Sequence, residues 1–105
     1  MVKKNDALTP LGLAKRAGKL VAGIEESRRA IRQGIARVVV IAADASEVQK
    51  VKVRKVAQAR DVPVARVAER TTLGHAIGQG PVTAVVVTDP GLAATVVARL
   101  SGSHA

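Results

Sequence analysis

The 105-residue sequence predicts an α/β fold: a three-layer α/β/α sandwich around a mostly parallel, four-stranded mixed sheet. Three observations predict it. Val38 to Ala42 and Ala84 to Thr88 are runs of mainly β-branched residues without polar alternation, the pattern of strands covered on both faces. Around them lie stretches with helical spacing, opened by capping residues or closed by glycine. Short strands alternating with helices in chain order then imply a layered sandwich. With 48% hydrophobic residues the chain can fill the core of one domain, about residues 9–100, with short frayed tails.

Each element has a local reason. Thr9 and Pro10 read as an N-cap and first helical residue, and Gly18 as a stop, so Leu11 to Ala17 form a helix. Lys15 and Arg16 sit near its negative end. Leu20 to Ala22 make a brief strand. Gly23 opens a second helix, about Ile24 to Gln33, which Gly34 stops. Ile24, Ser27 and Ile31 form its inward stripe, while Arg28, Arg29 and Arg32 face out. Glu25 and Glu26 suit its positive end, and Glu25 stands i,i+4 from Arg29.

The Val38 to Ala42 strand leads to Asp44. Ser46 and Gln49 then frame a capping box that opens a third helix, ending near Arg60. Its charges, Lys50, Lys52, Arg54, Lys55 and Arg60, read as the generic basic face of a scaffold helix. Asp61-Val62-Pro63 turns the chain into a strand from Val64 to Val67. Thr71 is placed to cap a short helix, Thr72 to Ile77, and Gly78 to Pro81 make a tight loop. After the Ala84 to Thr88 strand, Asp89 caps a last helix with Pro90 at its first position, reaching Leu100.

Charge narrows the function. Seventeen Lys and Arg oppose eight acids, a formal net charge of +9, and fourteen of the seventeen precede Asp61. Such an excess points to a polyanion, above all nucleic acid. With no Phe, Trp or Tyr there are no ring platforms for stacking bases, which leaves backbone shape, helix termini and arginine. The start of the second helix suits a phosphate. Gly23 admits a close backbone approach, the first N–H groups lack partners, and three arginines follow within about two turns.

Other classes fit poorly. The chain has no cysteine and only His75 and His104, so no metal or cofactor is expected. No apolar run approaches a membrane span and the first residues lack a signal-peptide core, so a cytoplasmic protein with no membrane partner is expected. Sequence templates for dinucleotide, P-loop, zincin and hydrolase sites are missing, so no catalytic residue is expected. Glu25 and Glu26 point roughly 100° apart on their helix, a poor acid/base pair. Asp44 stands where α/β enzymes place catalytic groups, and equally where a turn precedes the third helix. His75 has no acid partner nearby and reads as a surface histidine.

Gly23 to Ala30 (GIEESRRA), Gly34 to Asp44 (GIARVVVIAAD), the Asp61-Val62-Pro63 turn and Leu73 to Gly78 (LGHAIG) occur in an order that resembles the L-seven-Ae family. These are ribosomal kink-turn RNA-binding proteins of archaea and eukaryotes, with relatives in bacteria. The opening LGLAKRAGKLVAG, Leu11 to Gly23, is most similar to the small bacterial YlxQ-type proteins.

The resemblance implies a sandwich that recognises an RNA bend built on tandem sheared G·A pairs. A Gly-x-Asn-Glu-x-x-Lys stretch would read guanine edges, and an apolar loop would cover extruded bases. It maps Gly23 to the glycine, Glu26 to the glutamate and Arg29 to the lysine, with Arg28 an added donor. The loop falls near Gly78 to Thr83, with Pro81 and Val82 as contacts, and His75 falls where relatives carry a basic residue near phosphate. Two positions depart from the pattern. Glu25 replaces an asparagine, and an ionised carboxylate cannot donate to guanine O6 and N7. Ala43 replaces a glutamate before Asp44, which stays, with Arg32 and Thr83, among the residues expected to bind RNA. The partners implied are structured RNA, ribosomal RNA included, and ribosomal or RNA-processing proteins. The alternative role is an RNA-binding or assembly module acting with a partner such as an RNA-modifying enzyme. A docking face on the last helix would then leave Leu92, Val96 and Val97 exposed.

Overall fold

The computed structural model describes residues 8–101. The frayed tails expected at both ends, and His104, lie outside this range. Nine elements follow in the predicted order: α1 (Thr9–Arg16), β1 (Leu20–Ala22), α2 (Ile24–Arg32), β2 (Val38–Ala42), α3 (Glu47–Ala59), β3 (Val64–Val67), α4 (Arg70–Ala76), β4 (Ala84–Val87) and α5 (Pro90–Ser101). The caps differ at two helix starts. Leu8, not Thr9, is the N-cap of α1. The short helix begins at Arg70, ahead of the Thr71 cap expected from sequence.

The sheet is four-stranded and mixed, in the order β1-β4-β2-β3. Only the β2–β3 pairing is parallel; β4 runs antiparallel to both β1 and β2. The expectation of a mostly parallel sheet is corrected by what happens at α4. This helix has seven residues, and the chain folds straight back along it. The Gln79 N–H donates to the Gly74 carbonyl (2.9 Å) and the Val82 N–H to the Arg70 carbonyl (3.1 Å). The chain thus enters β4 at the end of the sheet where β3 left it, and β4 must run the other way.

Gly74 makes this reversal possible. A Cβ there would collide with the Gly80 carbonyl oxygen and lie 2.6 Å from its carbon. The neighbour is backbone, with no flexible side chain to swing aside. Gly74→Ala is therefore expected to cost about 1–3 kcal/mol by overpacking. A urea-unfolding midpoint equal to that of the parent would contradict this.

The all-aliphatic core has two halves, one on each face of the sheet. Val38, Val40 and Ala42 of β2 pack with Leu11, Leu73, Ile77, Val82 and Val96, from α1, α4, the loop before β4, and α5. Val39 and Ile41 point the other way, to Ala30 and Ile31 of α2 and Val53 and Ala57 of α3. This two-sided burial explains why β2 shows no alternation. Ser27, on the inward stripe, is fully buried. The start of α1 and the end of α5 meet at a cleft of about 140 Å³ lined by Leu8, Leu100, Arg66, Val67, Ala68 and Thr72.

At α3 the Ser46 hydroxyl accepts from the Gln49 N–H (3.2 Å), as the capping pattern predicts. Lys50 does not belong to an outer basic face. It is buried, and its Nζ donates to the Ala43 carbonyl just past β2 and pairs with Glu47, both at 2.7 Å. The Lys50 hydrogen bond and charge hold the Glu47 carboxyl below its ordinary pKa. A lowered folded-state pKa adds stability above the ordinary carboxylate range, and that stability is lost as pH falls through the lowered value. The stability gap between the parent and Glu47→Gln should accordingly close in acid. A gap that persists at the lowest pH where the parent stays folded would refute this assignment.

Candidate functional site

β1, β2 and β3 all point the same way, because β1 and β2 both oppose β4 and β3 parallels β2. The helices that follow them, α2, α3 and α4, consequently begin at one pole of the sandwich. The loop 78–83 also enters β4 there. Three positive helix ends at one pole create a site biased toward anions.

The three starts are not equivalent. Ser46 caps α3. Asp44 caps α4 from a distant part of the chain: its Oδ1 accepts from the Arg70 N–H at 2.9 Å, with Arg70 Nε 3.6 Å away. The start of α2 has no side-chain cap. Its N-cap, Gly23, has φ 110° and ψ 156°, a conformation that only glycine adopts readily. A Cβ at Gly23 would also collide with the Glu26 carboxylate, which folds back over this residue.

Backbone hydrogen bonds place this open start beside the loop. The Gly23 N–H donates to the Ala84 carbonyl, and the Ala42 N–H to the Thr83 carbonyl, both at 2.9 Å. The predicted site residues therefore divide. Gly23, Glu25, Glu26, Arg28 and Arg29 cluster at the start of α2, and Pro81 and Thr83 belong to the adjoining loop.

Glu25 pairs with Arg28, not with Arg29 as the i,i+4 spacing suggested. Arg28 Nη1 donates to both carboxylate oxygens at 3.0 Å. This leaves Arg29 and Arg32 exposed and, among the described residues, without ion pairs. Arg28 Nε is buried with no acceptor.

Other expected contacts are placed differently. Val82 turns into the core, held there by the bond from its N–H to Arg70, so Pro81 is the exposed apolar residue of the loop. Asp44 is engaged at α4. His75 is exposed and lines a cleft of about 290 Å³ with Thr9, Gly12 and Arg16, between α1 and α4 and not at the start of α2. Val96 is buried and Leu92 and Val97 are half-buried against the core, so α5 does not present the exposed apolar face a docking helix would need.

Sequence reading missed Arg70. Its N–H is capped by Asp44 and its carbonyl holds Val82, so it joins the end of β2 to the loop. The capping partner is 26 residues away, and no local pattern marks it. Among the described residues no cluster of His, Cys, Asp or Glu could hold a metal, and no helix is long and apolar enough to cross a membrane. Asp44→Ala is expected to cost about 1 kcal/mol through the lost cap, whereas Asp44→Asn keeps an acceptor and most of that stability. Equal losses in thermal unfolding would argue against the capping role.

Residues 6–97 match the Ribosomal protein L7Ae/L30e/S12e/Gadd45 family. The chain belongs to this family. Among its relatives is the RNA-binding protein YlxQ of Bacillus subtilis (strain 168), 37% identical over 90 residues, covering 86% of this chain and 90% of that protein. The RNA-binding protein YlxQ of Enterococcus faecium is 36% identical over 76 residues, 72% and 74% of the two chains. A solved structure of a protein with unknown function from Bacillus halodurans C superposes with a TM-score of 0.89 at 31% identity, covering 93% of this chain and 99% of that one. A Giardia lamblia 15.5kD RNA binding protein has the same fold, with a TM-score of 0.80 at 19% identity and coverage of 97% and 92%. The family's sandwich is thus the frame on which the open start of α2 and the loop 78–83 are set.

Proposed function

We propose that this chain is a single-domain, non-catalytic RNA-binding protein of the cytoplasm, and that it recognises structured RNA of the kink-turn type, with ribosomal RNA the leading candidate. The observation that carries this reading is the uncapped start of α2, held against the loop 78–83 with Arg29 unpaired beside it. Free N–H groups, a positive dipole end and an unpaired guanidinium are donors with no internal acceptor, which suits phosphates and guanine edges. The names of the two YlxQ relatives and the net charge of +9 support the same reading.

In this mechanism the Glu26 carboxylate swings off Gly23 to admit the RNA backbone, Arg28 and Arg29 donate to base edges or phosphates, and Pro81 covers an unstacked base. Glu25 does not donate; it orients Arg28 through the paired hydrogen bonds already present. No step needs a metal or cofactor. If about five phosphates are neutralised, log K falls with log salt at a slope near −3.5 to −4.5.

The test compares a kink-turn RNA with the same RNA carrying Watson–Crick pairs in place of both G·A pairs. The parent should prefer the kink-turn. Arg29→Ala should lose about 1–3 kcal/mol of that preference, and Glu25→Asn, which restores a donor, should raise it. Equal affinity for both RNAs with a steep salt slope would identify a charge-driven binder without kink-turn specificity.

A further inference from the structure

The proposed site does not use the basic residues of α3. α2 and α3 both start at the site pole and pack side by side on one face of the sheet. Arg29 and Arg32 come five and eight residues after the first residue of α2; Lys52 and Lys55 come five and eight after the first residue of α3. At 1.5 Å per residue the two cations of each helix lie about 7.5 and 12 Å along it from its first residue. Packed helix axes lie about 8–10 Å apart.

All four side chains are exposed, and among the described residues none forms an ion pair. The acids of the same helices are committed elsewhere: Glu25 to Arg28, Glu47 to Lys50, and Glu26 to the space over Gly23. The outer surface of this two-helix layer thus keeps its positive charge, while two of its three acids are paired and the third, Glu26, sits at the pole. A surface serving solubility alone would gain nothing from that segregation, since mixed signs serve solubility well.

We propose that α2 and α3 form a second, sequence-blind phosphate surface that takes the backbone of an RNA duplex continuing beyond the segment held at the pole. Lys52 and Lys55 are its α3 half and Arg32 extends the α2 half; the inference rests on the RNA-binding reading above. Lysine suits this role because a flexible point charge meets phosphates without demanding a fixed geometry. Shape and phosphate contacts of this kind are how double-stranded RNA is usually held.

The experiment measures affinity against salt for two RNAs, a short kink-turn hairpin and the same hairpin extended by a twelve-base-pair duplex arm. The proteins are the parent and Lys52→Gln/Lys55→Gln, which removes two exposed, unpaired side chains; matching thermal unfolding verifies its fold. On the extended RNA the double variant should shallow the log–log salt slope by about 1.4–1.8, at roughly 0.7–0.9 per phosphate. On the short hairpin its slope should equal that of the parent, and its preference for G·A pairs should be kept on both RNAs. Unchanged slopes on both RNAs would overturn the proposal and leave the surface to another partner, such as an acidic protein. An equal decrease on both would also overturn it, because it would report a long-range field and not contacts with the arm. Failure of the underlying reading looks different: the parent would not prefer the short hairpin over its Watson–Crick counterpart at any salt concentration.

Discussion

The close approach of two backbones, Gly74 in α4 and Gly80 in the following loop, sets the geometry of everything at the working pole. It lets the chain double back directly after the seven residues of α4, so that β4 enters from the same side and lies between β1 and β2. Were α4 a full crossover helix, β4 would start at the opposite pole and the loop 78–83 would be far from α2. Instead the first carbonyl of β4 accepts the N–H of Gly23, and the open helix start and the loop become one surface. A contact that excludes even a methyl group thus determines which two parts of the molecule meet.

At that pole the molecule disposes of its helix dipoles unequally. Two of the three starts are satisfied internally, one by a neighbouring hydroxyl and one by a carboxylate reaching across from the end of β2. The third has no side-chain cap. The acids follow a similar division, with Glu25, Glu47 and Asp44 each held against a cation or a helix start. The overall positive charge is therefore sharpened into particular places where donors have no internal partner. For a protein without aromatic residues this matters, because under the proposed function directional donors and shape must do the work that stacking does in many RNA binders.

The parts legible in the sequence were those whose causes are local. Gly23 and Gly34 bracket α2, the unbroken β-branched run marks β2 as central, and Ser46 and Asp89 cap the helices they precede. The site's core, Gly23 to Arg29, could be read because a glycine, a helix start and an arginine cluster coincide within seven residues. What stayed hidden depends on distant partners. The start of α4 is fixed by Asp44, 26 residues away, so Thr71 looked like the better cap. Lys50 looked like surface charge because its carbonyl acceptor lies before its own helix begins. Val82 looked like an exposed loop residue because only its bond to Arg70 turns it inward. The direction of β4 had no local signature either, since a uniformly apolar strand reads the same both ways.

The cleft where Leu8 of the α1 start meets Leu100 near the end of α5 has a consequence for the architecture as a whole. The first and last described elements close on one another beside the end of β3, so that residues 8–100 trace a nearly closed ring. A circularly permuted chain, joined here and opened at the turn after α2 on the far pole, would keep every strand pairing and both halves of the core. The joining peptide, like any domain fused at this point, would emerge on the working pole near the α4 start and the loop 78–83. Fusion at the seam would thus tether its cargo beside the proposed nucleic-acid surface, whereas insertion at the far turn would hold it a full sheet length away.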